Sequence, residues 1–171
     1  MTSTVLYDTS YGSTQQYAEA LAQRLGTAAQ PLNGADVATG HGPLIVLSPV
    51  HGPSIPAASF VAHTELGGRP TAVCAVGMTL IDVARRKDQM AAMLSDKPEV
   101  ARFYLPGRLS YSTMGRKHRM IMGGIVKALK SKPEAARSAN DLAMIDSHDR
   151  DTDRVDLSEL DPVVAWAEAQ D

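Results

Sequence analysis

The sequence predicts an α/β fold: a three-layer, doubly wound, five-stranded parallel sheet with helices on both faces. Three observations predict it. Short apolar runs alternate along the chain with segments of helical period. Two of the runs, residues 44–48 (LIVLS) and 71–76 (TAVCAV), show no polar alternation, as strands covered on both faces require. Alternating strands and helices call for right-handed crossovers between parallel strands.

The opening stretch is the most informative. Residues 4–7, TVLY, are β-branched and apolar and make the first strand. From Thr14 the period changes. Tyr17, Leu21 and Leu25 recur every four residues beside Ala18 and Ala22, giving one apolar helical face. Gly26 is its C-cap. Residues 28–32 form a short second strand. Glycines 34, 40 and 42 and Pro43 mark loops before the third strand, 44–48. Residues 49–56, PVHGPSIP, hold three prolines and a glycine and form a stiff loop. Pro56 suits the first turn of a helix running to about residue 66, ended by Gly67-Gly68. The fourth strand is 71–76. After a loop at 77–80, Asp82 caps a helix through Leu94, and Lys97-Pro98 breaks it. Residues 102–105 form the fifth strand, ended by Pro106-Gly107. Residues 114–130 place Met120, Ile121, Ile125 and Leu129 near helical spacing among basic residues. Gly123-Gly124 weakens that helix by about 1 kcal/mol per glycine relative to alanine. Trp166 lies in the last helical pattern and reads as a packing residue.

At 171 residues the chain reads as one domain, 1–171, able to bury a real core. A net charge of −2 gives no whole-protein pull toward nucleic acid or membrane. Its one basic segment lacks aromatic interleaving, so no nucleic-acid partner is expected. A single cysteine, Cys74, excludes a disulfide framework and a multi-cysteine metal site, and its apolar strand predicts an inert buried thiol. No metal site is expected. No run of about twenty apolar residues is present. The first strand begins almost at once, which leaves no room for a signal peptide, and the expectation is a cytoplasmic protein. Charge is unevenly spread. Seven basic residues and no acid lie between Arg108 and Lys132, whereas eleven acids follow from Glu134 onward. Such asymmetry marks an interaction surface or an internal pairing of the two segments.

The turn at residues 8–14, DTSYGST, joins the first strand to the first helix. The opening amides of a helix lack partners and carry the positive end of its dipole, so an anion docks there readily. Gly12 permits close approach or positive φ. Thr9, Ser10, Ser13 and Thr14 can donate hydroxyl bonds to phosphate oxygens. No Lys or Arg lies in the turn, which is neither a Walker A loop nor G-x-G-x-x-G. It suits a lone phosphate monoester; the same residue types also serve as ordinary N-caps. In such sheets ligands bind beyond the carboxyl ends of the strands, where strand order reverses. That brings together residues 8–14, 49–56 and 77–82. No Ser-His-Asp set and no paired carboxylates on one element appear, so no catalytic acid or base is assigned.

Tyr11-Gly12-Ser13-Thr14 resembles the last four places of the flavodoxin phosphate loop. The resemblance implies strand order 2-1-3-4-5 and a flavin mononucleotide (FMN) cofactor whose phosphate is held by Thr9, Ser10, Tyr11, Gly12, Ser13 and Thr14. It further implies that Pro49, Val50, His51 and Gly52 flank one side of the isoalloxazine and Gly77, Met78, Thr79 and Leu80 the other. Neither ring loop carries the Trp or Tyr that many flavodoxins stack on the ring. His51 has two readings: a hydrogen-bonding partner of flavin or substrate, or a loop histidine facing water.

A long insertion, residues 108–154, precedes the final helix. Residues 103–111 (FYLPGRLSY), the Arg/Lys/Met-rich helix after them and 152–157 (TDRVDL) are similar to the menaquinone-dependent protoporphyrinogen dehydrogenases, the flavodoxin-like branch with a long insertion there. The second loop, 48–57, is proline-rich where that branch carries an arginine, and Arg85-Arg86-Lys87 matches its basic third loop in part. The resemblance implies an oxidoreductase passing electrons from an organic substrate such as a porphyrinogen to a quinone. Two alternatives stay open: an electron carrier served by a redox partner protein, and a binding or regulatory module without flavin. Residues 114–132 are either a peripheral membrane contact or a cover whose basic stems pair with the acidic tail.

Overall fold

A computed structural model describes residues 2–37 and 40–170. Five strands form one parallel sheet in the order β2-β1-β3-β4-β5. They are β1 (Thr4–Tyr7), β2 (Ala29–Pro31), β3 (Leu44–Pro49), β4 (Thr71–Gly77) and β5 (Ala101–Pro106). The order reverses between β1 and β3, which pair in register with Val5 opposite Ile45 and Tyr7 opposite Leu47. The fold is thus the α/β, flavodoxin-like arrangement that the sequence predicts.

Residues 44–48 and 71–76 are buried throughout, because helices cover both faces of β3 and β4. Successive side chains point to opposite faces and feed two separate cores. Val5, Ile45, Leu47, Cys74 and Val76 pack against α1 (Ser13–Arg24) and α7 (Asp161–Glu168). Leu6, Val46, Val73 and Ala75 pack against α2 (Pro56–His63) and α4 (Gln89–Met93). Cys74 is fully buried, and burial pushes its thiol pKa far up, as an inert core thiol requires. Trp166 packs edge-on against Phe103.

Gly26 closes α1 as expected: its φ is +65°, and the Thr27 amide reaches back to the Ala22 carbonyl at 2.9 Å. Two boundaries differ from the sequence reading. Helix α2 ends at His63, before the expected residue 66. Thr64 turns extended and its hydroxyl donates to the Phe60 carbonyl at 2.7 Å, while the Lys97 ammonium caps the Val61 carbonyl at 2.7 Å. Gly67 and Gly68 form a later turn. The expected helix from Asp82 to Leu94 is two helices, α3 (Ile81–Lys87) and α4, and Asp82 does not cap it. Asp88 breaks it at φ +41°, held by Arg102 at 2.9 Å and by the Tyr104 hydroxyl at 3.1 Å.

The insertion is a small structured unit. Strands β6 (Arg108–Leu109) and β7 (Thr152–Asp153) form an antiparallel ribbon at its base. Between them lie α5 (Arg116–Ser131) and α6 (Ala139–Asp146). Helix α5 runs unbroken through Gly123-Gly124. It turns Val126 and Met122 inward and leaves Met120, Ile121 and Ile125 exposed. A third core of Leu109, Tyr111 and Met114 reaches Tyr11 and Met78 in the loops beyond β1 and β4. Tyr17 ties the unit's exit to α1: its hydroxyl donates to the Pro106 carbonyl at 2.7 Å and accepts from the Asp156 amide at 2.9 Å.

Candidate functional site

Three loops meet beyond the carboxyl ends of β1, β3 and β4, at the point where strand order reverses. The first is the hydroxyl-rich turn. Its Gly12 takes φ +82° and is the N-cap of α1, and no side chain caps that end. The Ser/Thr capping arrangement that the same residues allow is therefore not formed. The Thr9 hydroxyl instead accepts from the Gly12 amide at 3.1 Å and shapes the turn. The first intrahelical bond runs from the Gln16 amide to the Gly12 carbonyl. The amides of Ser13, Thr14 and Gln15 lie ahead of it, with the dipole's positive end behind them. Ser13 and Thr14 are buried in the first turn.

The second loop continues from Pro49. The Val50 amide still bonds the Val76 carbonyl at 2.9 Å. His51 and Ser54 exchange backbone bonds at 2.8 and 3.0 Å across Gly52 (φ +59°) and Pro53. His51 is exposed, and its Nε2 is hydrogen-bonded to the Ser10 hydroxyl at 3.0 Å. The histidine therefore faces water and also fixes a hydroxyl of the first loop.

The third loop is bound to the insertion. The Gly77 carbonyl accepts from the Gly107 amide at 2.8 Å, the Met78 carbonyl from Arg154 at 2.9 Å, and the Leu80 amide donates to the Asn140 side chain at 3.0 Å. A Cβ on Gly77 would come within 3.3 Å of Val50, so the second and third loops touch. Val50, Gly77 and Thr79 line a pocket of about 120 Å³.

A larger apolar cavity of about 360 Å³ opens between the first two loops and α5. Tyr11, His51, Gly52 and Pro53 form one wall; Leu109, Met114 and, from α5, His118, Ile121, Met122 and Ile125 form the other. The Tyr11 hydroxyl and His118 Nδ1 lie 3.4 Å apart across it. Its volume falls in the range of small-molecule sites, roughly 300–1,000 Å³. A groove of about 820 Å³ runs along β5 beside Arg85 and Glu159, at the edge of the sheet and not at the strand tips.

Two groups join this site that the sequence reading did not place there, Arg108 and His118. Arg108 lies over the bare side of Gly12. Its Nε and Nη2 donate to Asp153 at 3.0 and 2.8 Å, and Nη2 also donates to Gln16 at 3.0 Å. Hydrogen bonds from the Val155 amide and from Arg108 hold the Asp153 carboxyl below the usual aspartate range. Of the basic residues in the insertion, Arg108 pairs with Asp153, Lys132 with Asp141 and Arg150 with Asp146. Arg116, Lys117, Lys127 and Lys130 make no ion pair with the described residues. No cluster of metal-ligating side chains occurs among the described residues, and no helix among them is long and apolar enough to cross a membrane.

Among curated proteins, none matches the chain significantly. The sequence profile of the flavodoxin domain matches residues 4–136. That span contains all five strands of the sheet and the three loops at its tips, and it implies a flavin-binding redox role. The chain belongs to the flavodoxin domain family.

Proposed function

We propose that the protein binds FMN and is an oxidoreductase that passes electrons between an organic substrate and a quinone. One observation carries the reading. A helix N-terminus without a side-chain cap, opened by a left-handed glycine and lined by hydroxyls, adjoins a sheltered apolar cavity. The donor set fits the group. Thr9, Ser10, Ser13 and Thr14 with the first amides of α1 would hold the phosphate, and no cation–triphosphate machinery is present in the turn. His51 orients the Ser10 hydroxyl. The loops at Pro49–Gly52 and Gly77–Leu80 would flank the ring system. When bound, the flavin supplies the redox chemistry, and the chain supplies binding, orientation and electrostatics.

The insertion favours an enzyme over a carrier. Helix α5 roofs the cavity, so a small apolar substrate is better served there than a docking protein that needs an exposed ring edge. The reading is finest where the chain is similar to the menaquinone-dependent protoporphyrinogen dehydrogenases: the donor would be a porphyrinogen-like molecule and the acceptor a membrane quinone. The exposed Met120 beside Lys117 and Lys127, with Ile121 and Ile125 at the rim of the cavity, supports a peripheral approach to the lipid that holds a quinone. The test is a spectrum of the purified protein after incubation with FMN, followed by a screen of reductants and quinones. Flavin absorbance retained through gel filtration and released by acid supports the reading. Protein that stays colourless at saturating FMN refutes it.

A further inference from the structure

We propose that Arg108 is the cation of the phosphate site, delivered from the insertion to a loop that has none of its own. This rests on the FMN reading above. The guanidinium offers five donors in a rigid fork. Nε and Nη2 are committed to Asp153 and Gln16. Nη1 makes no hydrogen bond with the described residues. Apart from Gly12 and its two chain neighbours, it is the heavy atom nearest the position a Cβ would take on Gly12, at 3.8 Å. The one uncommitted edge of the fork therefore faces the turn where the phosphate would sit.

The positioning is built, not incidental. Arg108 stands two residues beyond the end of β5, so its backbone already lies at the ligand-binding edge of the sheet. Strand β7 pairs with it and supplies Asp153 directly opposite in register. Asp153 is itself fixed by the Val155 amide at 3.0 Å. Gln16, on the first turn of α1, holds the same guanidinium from the other side. Two elements far apart in the chain thus clamp one side chain over Gly12. Asp153 takes up part of the positive charge, which leaves a directional donor pair and a partial field; a free lysine would give more charge and less direction. Binding is reciprocal: a phosphate held by Arg108 would also hold the β6–β7 ribbon against the sheet.

The test compares FMN with riboflavin, which shares the ring and lacks the phosphate. Apoprotein of the wild type, Arg108→Gln and Arg108→Lys is titrated with each flavin by fluorescence quenching. Arg108→Gln should weaken FMN by about 10- to 100-fold, the worth of a hydrogen bond to a charged group, and riboflavin by less than about 2-fold. Arg108→Lys should fall between, because the charge survives and the fork does not. Hydrogen exchange gives an independent readout: FMN, and not riboflavin, should slow the amides of 108–112 and 150–155. An unchanged FMN-to-riboflavin ratio in Arg108→Gln overturns the assignment and leaves the FMN reading standing; so does an equal loss of both flavins, which would make Arg108 a structural pin. If Arg108→Gln does not fold, the ratio in Arg108→Lys decides, and a wild-type ratio there overturns the assignment. A wild type that binds neither flavin overturns the FMN reading and this proposal together.

Discussion

Replacing Gly12 with alanine separates the conformational role of the turn from its binding role. Gly12 sits at φ +82°, and its Cβ position is open apart from Arg108 at 3.8 Å. The cost is therefore backbone strain and not a clash. A left-handed conformation costs an L-residue about 1–2 kcal/mol. The stiffer unfolded chain returns about 0.4–1 kcal/mol. The net loss should be roughly 1 kcal/mol, or about 2–4 °C in Tm for a chain of this size. Gly26 is the matched control. It too has positive φ, at +65°, with nothing within 4 Å of its Cβ position, but it closes the far end of α1. Gly26→Ala should cost about the same stability. Only Gly12→Ala should also lower flavin affinity, because relief of the strain moves the amides at the helix start. Urea denaturation of the two apoproteins and FMN titration of each make the comparison. Equal flavin affinity in both variants, with equal loss of stability, would refute the claim that the Gly12 conformation serves binding. A Gly12→Ala protein as stable as wild type would refute the strain estimate.

Other outcomes follow from particular contacts. Tyr17→Phe removes a bond to the Pro106 carbonyl and one from the Asp156 amide in a fully buried position, and should cost about 1–3 kcal/mol in urea unfolding; a loss near zero would mean that water replaces the hydroxyl. Burial pushes Tyr17 and Tyr104 up to about 12. Both must stay neutral in the fold, so stability is full below the unfolded value of about 10 and falls as pH rises from there toward 12; tyrosinate absorbance near pH 10 in the folded wild type that is missing from Tyr17→Phe or Tyr104→Phe would contradict this. Asp141, Asp151, Asp153 and Asp156 lie below the usual aspartate range, held mainly by Lys132, by the Ser112 hydroxyl, by the Val155 amide and by the Ser158 hydroxyl respectively. Depressed carboxyls stabilise above their unfolded value and lose that contribution as pH falls, so below about pH 4 the insertion should open before the sheet, read as earlier hydrogen exchange at 108–156 than at 71–77. The wild type should sediment with phosphatidylserine vesicles and not with neutral ones, and Met120→Glu, outside the cavity lining, should weaken this; a wild type that ignores both vesicles ends the peripheral-contact proposal.

The parallel sheet was legible because its evidence is local. Residues 44–48 and 71–76 lack polar alternation, and that alone requires cover on both faces. The helix ends that differ were set by distant partners. Thr64 leaves the helix where Lys97, far along the chain, supplies the cap. Asp88 breaks α3 from α4 because Arg102 and Tyr104 on β5 hold its carboxylate. The site divides in the same way. The hydroxyl turn is contiguous and reads directly. Arg108 and His118 reach it through the tertiary fold, and only the position of Arg108 just past β5 gave a sequence signal. Met120 and Ile121 stand at helical spacing, but spacing does not say which side of a helix the domain takes. The structure buries Val126, sets Met122 and Ile121 along the cavity, and leaves Met120 the most exposed.

The insertion meets the tips of the sheet through three separate kinds of contact, and each constrains a different part of the proposed chemistry. Arg108 faces the phosphate turn. Asn140 and Arg154 occupy a backbone donor and an acceptor of the third loop. Helix α5 roofs the cavity beside Tyr11 and His51. The second kind has a consequence for the flavin. The Leu80 amide has one hydrogen, already given to Asn140, and cannot serve a ring edge without releasing it, whereas the Met78 carbonyl keeps a second lone pair beside its bond from Arg154. Donors to the ring from that side fall to the amides of Met78 and Thr79 unless the Asn140 bond breaks. Asn140 and Arg154 lie beyond residue 136, where the match to the family ends. The element that sets what the third loop can offer is therefore the part of the chain that the family match does not cover. With FMN bound as proposed, Asn140→Ala should free the Leu80 amide and shift the flavin potential in a redox titration, and an unchanged potential would mean that this amide does not reach the ring.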